Sequence, residues 1–273
     1  MLFDSHTHLK TESITDEEFV ELIEEIEESD LSYAVDIGCD LESSMLAAKH
    51  AKEYDWCYAA VGYHPHEAKD MGDIELAMIE SLAKKDKVKA IGEIGLDYYY
   101  DYSPRDVQID VFRKQIQLAN KMKMPIVVHS RDASQETMDV LKEEGAFSEE
   151  RKNFFPKRQD GSGDARVLIH CYSGSAQMAT QYVKLGATIS VAGPITFKNS
   201  RKLQEVVDVV SIDNLLIETD APFLTPEPFR GKRNKTYYVE HVARRIALLK
   251  NMEYEEVAKI TLDNAKRFFD IND

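Results

Sequence analysis

Cysteine is scarce in this chain. Cys39, Cys57 and Cys171 are an odd, widely spaced set with no Cys-x-x-Cys pair, so they read as reduced, mostly buried small apolar residues. Cys171 follows His170 on a strand and should face away from it. Long apolar runs are missing too: nothing approaches the roughly 20 residues of a membrane helix. The chain opens directly on strand-like LFDSH, so no signal peptide is expected, and a cytoplasmic protein without membrane attachment is. Basic residues are in deficit, with 34 Lys and Arg against 49 Asp and Glu for a net charge of −15. That charge argues against coating nucleic acid by bulk electrostatics, and a polyanionic substrate must be drawn by a local positive site and bound metal. Linkers rich in Pro, Gly or Ser are absent, so residues 1–273 read as one domain, near the usual size of a (β/α)8 barrel.

What the sequence does have is a recurrent pattern of short apolar runs that end in a metal-ligand residue. His6 and His8 close LFDSHTH, Glu93 falls in AIGEIGLD, His129 in IVVHSR, His170 in VLIHCYSG and Asp220 in LLIETDAPF. An apolar run of about four to eight residues ending this way reads as a buried parallel strand that delivers a side chain to its carboxyl end. In His-x-His the period of two points both imidazoles the same way, so one ion can take both. A single histidine at a strand end is usually a satisfied polar residue. Five such deliveries imply a shared partner, since buried imidazoles and carboxylates without one are costly.

Between these runs the sequence alternates regularly. Strands are expected at 2–8, 33–37, 57–62, 90–95, 126–130, 167–171, 187–191 and 215–218. Amphipathic helices fit 16–28, 41–54, 74–84, 104–121, 134–144, 175–185, 200–210 and 237–249, with a further helix at 255–269. Eight strand–helix repeats predict an α/β protein, a (β/α)8 TIM barrel with its metal site at the C-terminal strand ends. The stretch 147–166, FSEERKNFFPKRQDGSGDAR, is long for a loop in a compact domain. It precedes a strand and so starts at the N-terminal face, where a variable excursion or oligomer contact is expected in preference to a lid. The acidic segment TDEEFVELIEEIEES reads as a solvated helix face. Arg230, Lys232, Arg233 and Lys235 form the densest cationic run and are expected to meet backbone phosphates.

The motifs FDSHTHL, VGYHPH, AIGEIGLDYY, PIVVHSRDA, LIHCYSGS, LLIETDAPFL and RGKRN, in this order, resemble the TatD family of metal-dependent deoxyribonucleases along essentially the whole chain. The resemblance implies two divalent ions, with His6 and His8 on one, His129 and His170 on the other, Glu93 bridging both and Asp220 near the first. It also implies hydrolysis of phosphodiester bonds in DNA, with exonuclease action expected, through a water activated by the two metals.

The chemistry of the residues fits these roles. A carboxylate has two oxygens, so Glu93 can hold two ions roughly 3.5–4 Å apart, and Asp220 can orient a water and take its proton. The resemblance places His64 of GYHPHE near the scissile phosphate or leaving group, as a third catalytic residue beside Asp220 and Glu93. Substrate binding is expected from His66, from Arg131, whose guanidinium can hold a phosphate unless it pairs with an acid such as Asp132, and from Arg233 and Asn234. Tyr98, Tyr99 and Tyr100 suit either base stacking or packing under their loop. Asp97 is expected to orient a histidine, and His50 and His241 to lie on helix surfaces. Four imidazoles favour Zn2+, whereas phosphodiester chemistry with two carboxylates also suits Mg2+ or Mn2+. Two departures from the family pattern, Lys10 and the Lys235–Thr236 pair, are read as added positive charge at the site rim. The alternatives are another hydrolase of the same barrel type, acting on a cyclic amide, lactone, phosphotriester or aminoacyl-tRNA, and a noncatalytic nucleic-acid-binding barrel. A carboxylated lysine often bridges the metals of the cyclic-amide and phosphotriester members, and no lysine lies near the Glu93 strand end.

Overall fold

The computed structural model describes residues 1–272. Eight strands, β1 Leu2–Thr7, β2 Leu31–Ile37, β3 Cys57–Val61, β4 Val88–Asp97, β5 Ile126–Arg131, β6 Val167–Ile169, β7 Thr188–Val191 and β8 Leu215–Ile217, pair in parallel in sequence order. The helices between them are α1 Asp16–Glu27, α2 Leu41–Glu53, α3 Asp73–Ala83, α4 Arg105–Met122, α5 Ser134–Glu143, α6 Glu149–Lys152, α7 Ala176–Leu185, α8 Arg201–Val209, α9 Val239–Lys250 and α10 Tyr254–Phe269. The sheet closes just beyond β8, where Thr7 bridges Ala221 and the Asp220 amide donates to the His6 carbonyl at 2.9 Å. This is the expected (β/α)8 barrel.

Strand alternation divides the apolar residues between two cores. Phe3, Val35, Ile37, Ala60, Ala90, Val127, Leu168 and Leu216 fill the interior, and α10 brings Phe268 and Phe269 against them, with Phe269 stacked on Phe3 at 5.9 Å. The opposite faces pack under the surrounding helices. The pairing register shifts at several places, two of them beside the site. In β1 the register shifts between Asp4 and Thr7, and in β4 between Ile91 and Ile94. Ile91 and Ile94 are an odd number of residues apart yet both pack in the outer core, so the strand changes phase between them and Glu93 turns to the interior. Gly95 lies in the same strand at φ 149°, and a Cβ there would fall 1.9 Å from the His129 carbonyl oxygen. Glycine is what lets β4 and β5 approach this closely.

The 147–166 stretch departs from a plain loop. Its α6 turn is capped by Ser148, and the side chain of Arg151 is fully buried, donating to the carbonyls of Ala165 and Met124 and to Asn120 Oδ1. Arg158 donates to the carbonyls of Gly186 and Ala187. The segment is a packed plate whose arginines satisfy carbonyls at the starts of neighbouring strands. Burial, reinforced by nearby Arg166, pushes the Arg151 guanidinium down to about 9.

Candidate metal centre

The strand ends and the loops beyond them bring His6, His8, His64, Glu93, His129, His170 and Asp220 together. Glu93 is at the centre. Its Oε1 lies 2.6 Å from His170 Nε2, 2.9 Å from His129 Nδ1 and 3.7 Å from His64 Nε2, and its Oε2 lies 3.5 Å from His6 Nε2. Asp220 Oδ1 is 3.7 Å from both His6 Nε2 and His8 Nε2. Asp220 adopts φ 56°, a left-handed conformation that aspartate tolerates better than most residues. Main-chain amides of Thr219 and His6 and the Thr219 hydroxyl hold the buried Asp4 carboxylate, which ties β1 to the segment carrying Asp220.

Hydrogen bonds behind the ligands fix which ring nitrogen faces inward. His8 Nδ1 is 2.9 Å from the Ile37 carbonyl oxygen, which only accepts, so Nδ1 carries the proton and Nε2 presents a lone pair to the site. His129 Nε2 is 3.1 Å from Asp97 Oδ2, leaving Nδ1 toward Glu93. His64 is arranged the other way. Its Nδ1 accepts from the His66 amide at 3.1 Å, so the neutral ring carries its proton on Nε2 and points an N–H donor inward.

The charge balance follows from crowding. Burial alone would raise the Glu93 carboxyl, but His170, His64 and His6 pull it well below the usual range. Burial opposes a charge on His170, yet Glu93 and Glu218 hold it well above an ordinary imidazole. His129 is raised in the same way by Asp97 and Glu93 against the burial effect. His64 is lowered well below its ordinary value, chiefly by burial, and so is suited to act as a neutral donor.

A divalent cation fits this donor set. Both ring nitrogens of His6 are buried without a hydrogen-bond partner, as is His170 Nδ1. Such orphaned lone pairs among carboxylates are what a cation satisfies. Three groups have ligand atoms within 4.8 Å of one another: His6, His8 and Glu93; His6, His170 and Glu218; and His64, Glu93 and His129. Glu218 was not singled out from sequence. It is fully buried, accepts from the Cys171 amide at 2.7 Å, and lies 3.4 Å from His170 Nδ1. Its signal was the two-residue spacing in Glu218-Thr219-Asp220, the same spacing that made His6 and His8 conspicuous.

Other expectations need correcting. Asn234 is buried, and its amide donates to the carbonyls of Thr219 and Phe223, so its hydrogen bonds shape the loop. Arg233 pairs with Glu18 at 2.8 Å, and Lys235 pairs with Glu25 of the same helix at 2.5 Å. Lys10 pairs with Asp16 at 2.9 Å, so neither Lys10 nor Lys235 adds free positive charge at the rim. The Arg233–Glu18 and Lys235–Glu25 pairs border a cavity of about 340 Å³ that reaches His8. His66 Nε2 is bound to Asp97 Oδ2 at 2.9 Å, the same oxygen that His129 Nε2 meets at 3.1 Å. Asp97 thus orients two histidines, one of them the expected ligand His129. Arg131 has no acid partner among the described residues, and its guanidinium lies 4.0 Å from the Tyr99 ring centre and 4.8 Å from that of Tyr100. His50 is buried and bound to Asp36 at 2.7 Å, and His241 is half-buried. Cys39 is partly exposed, with Sγ 3.8 Å from His8 Nδ1. Cys171 is partly exposed as well and lies beyond the end of β6.

Comparison with known proteins agrees with this geometry. A family model described as TatD related DNase matches residues 3–270. The chain is 46% identical over 272 residues to YabD of Bacillus subtilis (strain 168), described as an uncharacterized metal-dependent hydrolase, covering 100% of both chains. It is 31% identical over 265 residues to the 3'-5' ssDNA/RNA exonuclease TatD of Rahnella sp. (strain Y9602), covering 95% of each. Among solved structures, YjjV, a TatD homolog from Escherichia coli K12, matches with a TM-score of 0.86 and 26% identity, over 99% of this chain and 98% of that one.

Proposed function

Because the chain belongs to the TatD-related DNase family and is a metal-dependent hydrolase, we propose that it hydrolyses phosphodiester bonds in DNA, working from a strand end, with two divalent ions spanned by Glu93. One observation carries this reading. The two oxygens of Glu93 face different imidazoles, Oε2 toward His6 and Oε1 toward His129 and His170, as a carboxylate shared between two ions requires. His6 and His8 would hold one ion with Asp220 beside it, and His129 and His170 would hold a second. Bound there, the ions supply Lewis acidity toward the phosphate oxygens and lower the pKa of the attacking water.

The protein groups divide the remaining work. Asp220 orients the attacking water and takes its proton as the new P–O bond forms. The Nε2–H of His64 is directed at the leaving oxygen, stabilising its charge as the old P–O bond breaks. Arg131, free of acid partners and stacked on two tyrosines, offers its N–H edge to a neighbouring phosphate. Chelated protein, resupplied with Zn2+, Mg2+ or Mn2+ and given labelled single- and double-stranded DNA beside a generic ester and a phosphotriester, tests the reading. Metal-restored cleavage of DNA well above that of the other substrates is expected. Preferential turnover of the ester or phosphotriester would replace the nuclease reading with another hydrolase of this barrel, and no turnover of any substrate would favour a binding protein.

A further inference from the structure

A net charge of −15 makes the location of uncompensated cations informative. Along the cationic run beyond Asp220, Arg233 and Lys235 are neutralised by Glu18 and Glu25. Arg201 pairs with Glu205. Lys198, Lys202 and Arg230 are in no ion pair among the described residues, and all three are exposed. They line one cleft of about 570 Å³ together with Ser173, Phe197 and Glu227. Three cations against a single carboxylate leave this cleft positive on an otherwise acidic molecule.

The cleft is built from the segments that follow β6, β7 and β8, on the same end of the barrel as the metal centre. Ser173 lies three residues beyond His170, Phe197 and Lys198 follow β7, and Arg230 follows Asp220 in the loop after β8. The two latter loops are fastened together. The Glu227 amide donates to Thr196 Oγ1 at 2.9 Å, and a Cβ on Gly193 would fall 2.0 Å from the Leu224 carbonyl oxygen. The Arg230 guanidinium lies 4.3 Å from the Phe197 ring centre, which fixes its plane and leaves its N–H edge free. Ser200 turns its hydroxyl to the Ile195 carbonyl and leaves the first amides of α8 without a side-chain cap at the cleft wall. An aromatic face, a stacked guanidinium and two lysines suit a single nucleic-acid strand, whose phosphates take the cations while its bases find π surfaces.

We infer that the Lys198–Lys202–Arg230 cleft is a second subsite, which holds phosphates of the DNA strand away from the scissile bond and makes turnover depend on strand length. This rests on the nuclease reading above. The Arg233–Lys235 pair, already neutralised, contributes little to that path.

The test uses metal-loaded enzyme carrying Lys198→Gln, Lys202→Gln and Arg230→Gln together, with Arg201→Gln as a control that removes a paired cation beside the cleft. Binding of a phosphorothioate single-stranded DNA on the order of 12 nucleotides long is followed across salt concentrations, and hydrolysis is compared for a normal strand of that length and a dinucleotide. Three lost phosphate contacts should make the plot of log affinity against log salt shallower by about 2, so the wild-type advantage shrinks about 15-fold when salt rises fourfold. The KM for the longer strand should rise, while kcat/KM for the dinucleotide and the slope of the control stay at wild-type values. An unchanged slope in the triple variant, or equal losses on both substrates, would overturn the inference. Wild-type protein that cleaves no DNA yet shows the predicted difference in binding slope would overturn the nuclease reading and leave the cleft as a strand-binding site. Wild-type protein that fails to bind the strand would overturn both.

Discussion

Glu93→Ala removes the carboxylate that, among the described residues, faces imidazoles from both sides of the site. Metal occupancy should fall and hydrolysis should be abolished while the far-ultraviolet circular dichroism stays that of a folded barrel; two retained ions with full activity would refute the bridge. Asp220→Asn keeps the shape and removes the base, so kcat should drop by orders of magnitude with only a modest change in substrate affinity. An effect confined to KM would make Asp220 a binding residue. Acidity separates metal-loaded from chelated protein. In chelated protein, burial opposes a charge on His8 and His170, but Cys39 and Asp220 raise the first and Glu93 the second above ordinary imidazole. A folded value above the unfolded one contributes stability that is complete below about pH 6.5 and lost as pH rises through the raised values. Metal needs these rings neutral, so its affinity rises over the same range. The gap in Tm between metal-loaded and chelated protein should therefore widen between about pH 6 and pH 8, and a constant gap would contradict the assignment of these histidines as ligands.

At the scale of single elements, what was legible in the sequence was the strand that ends in a ligand. His6, His8, Glu93, His129, His170 and Asp220 were all proposed on this pattern and lie together in the structure, because apolar runs record burial and the polar residue that closes a run records an exit from the barrel. Distant partners leave no such trace. His50 occupies a helix position that looks solvated, and only the fold brings Asp36 against it. Arg233 looked free because Glu18 is more than two hundred residues away in sequence. The phase slip in β4 was also invisible, since simple alternation does not reveal which face Glu93 takes. The 147–166 plate offers a direct test. Replacing Arg151 with Met keeps the bulk but leaves the carbonyls of Ala165 and Met124 unpaired, so stability should fall by about 3 kcal/mol. Because these contacts lie at the N-terminal face, kcat/KM per folded molecule should stay unchanged, and a loss of activity without loss of stability would mean that the plate communicates with the site.

For the whole molecule, eight parallel strands in sequence order were expected and found, with boundaries differing by one or two residues at either end. The charge map was read less well. The basic run was visible in sequence, but the pairing of Arg233 and Lys235 with acids of α1 was not, so within the cleft the free cations are Arg230 of that run with Lys198 and Lys202 from the segment after β7. No described helix is long and apolar enough to cross a membrane.

The closure of the barrel also sets an order of events during synthesis. Ser5 hydrogen-bonds to the Ile217 carbonyl, and the Asp220 amide to the His6 carbonyl, so the segment carrying His6 and His8 has its structural partners more than two hundred residues further along the chain. At ordinary elongation rates His6 and His8 emerge roughly 10–40 s before Asp220. During that interval the growing chain carries imidazoles and an open sheet edge without the residues that complete the site, and α10 has yet to supply the aromatic plug for the interior. A nascent chain stalled before β8 therefore lacks the strand and the Asp220 segment that close the barrel onto β1, and the proposed hydrolysis should arise only once both have been made.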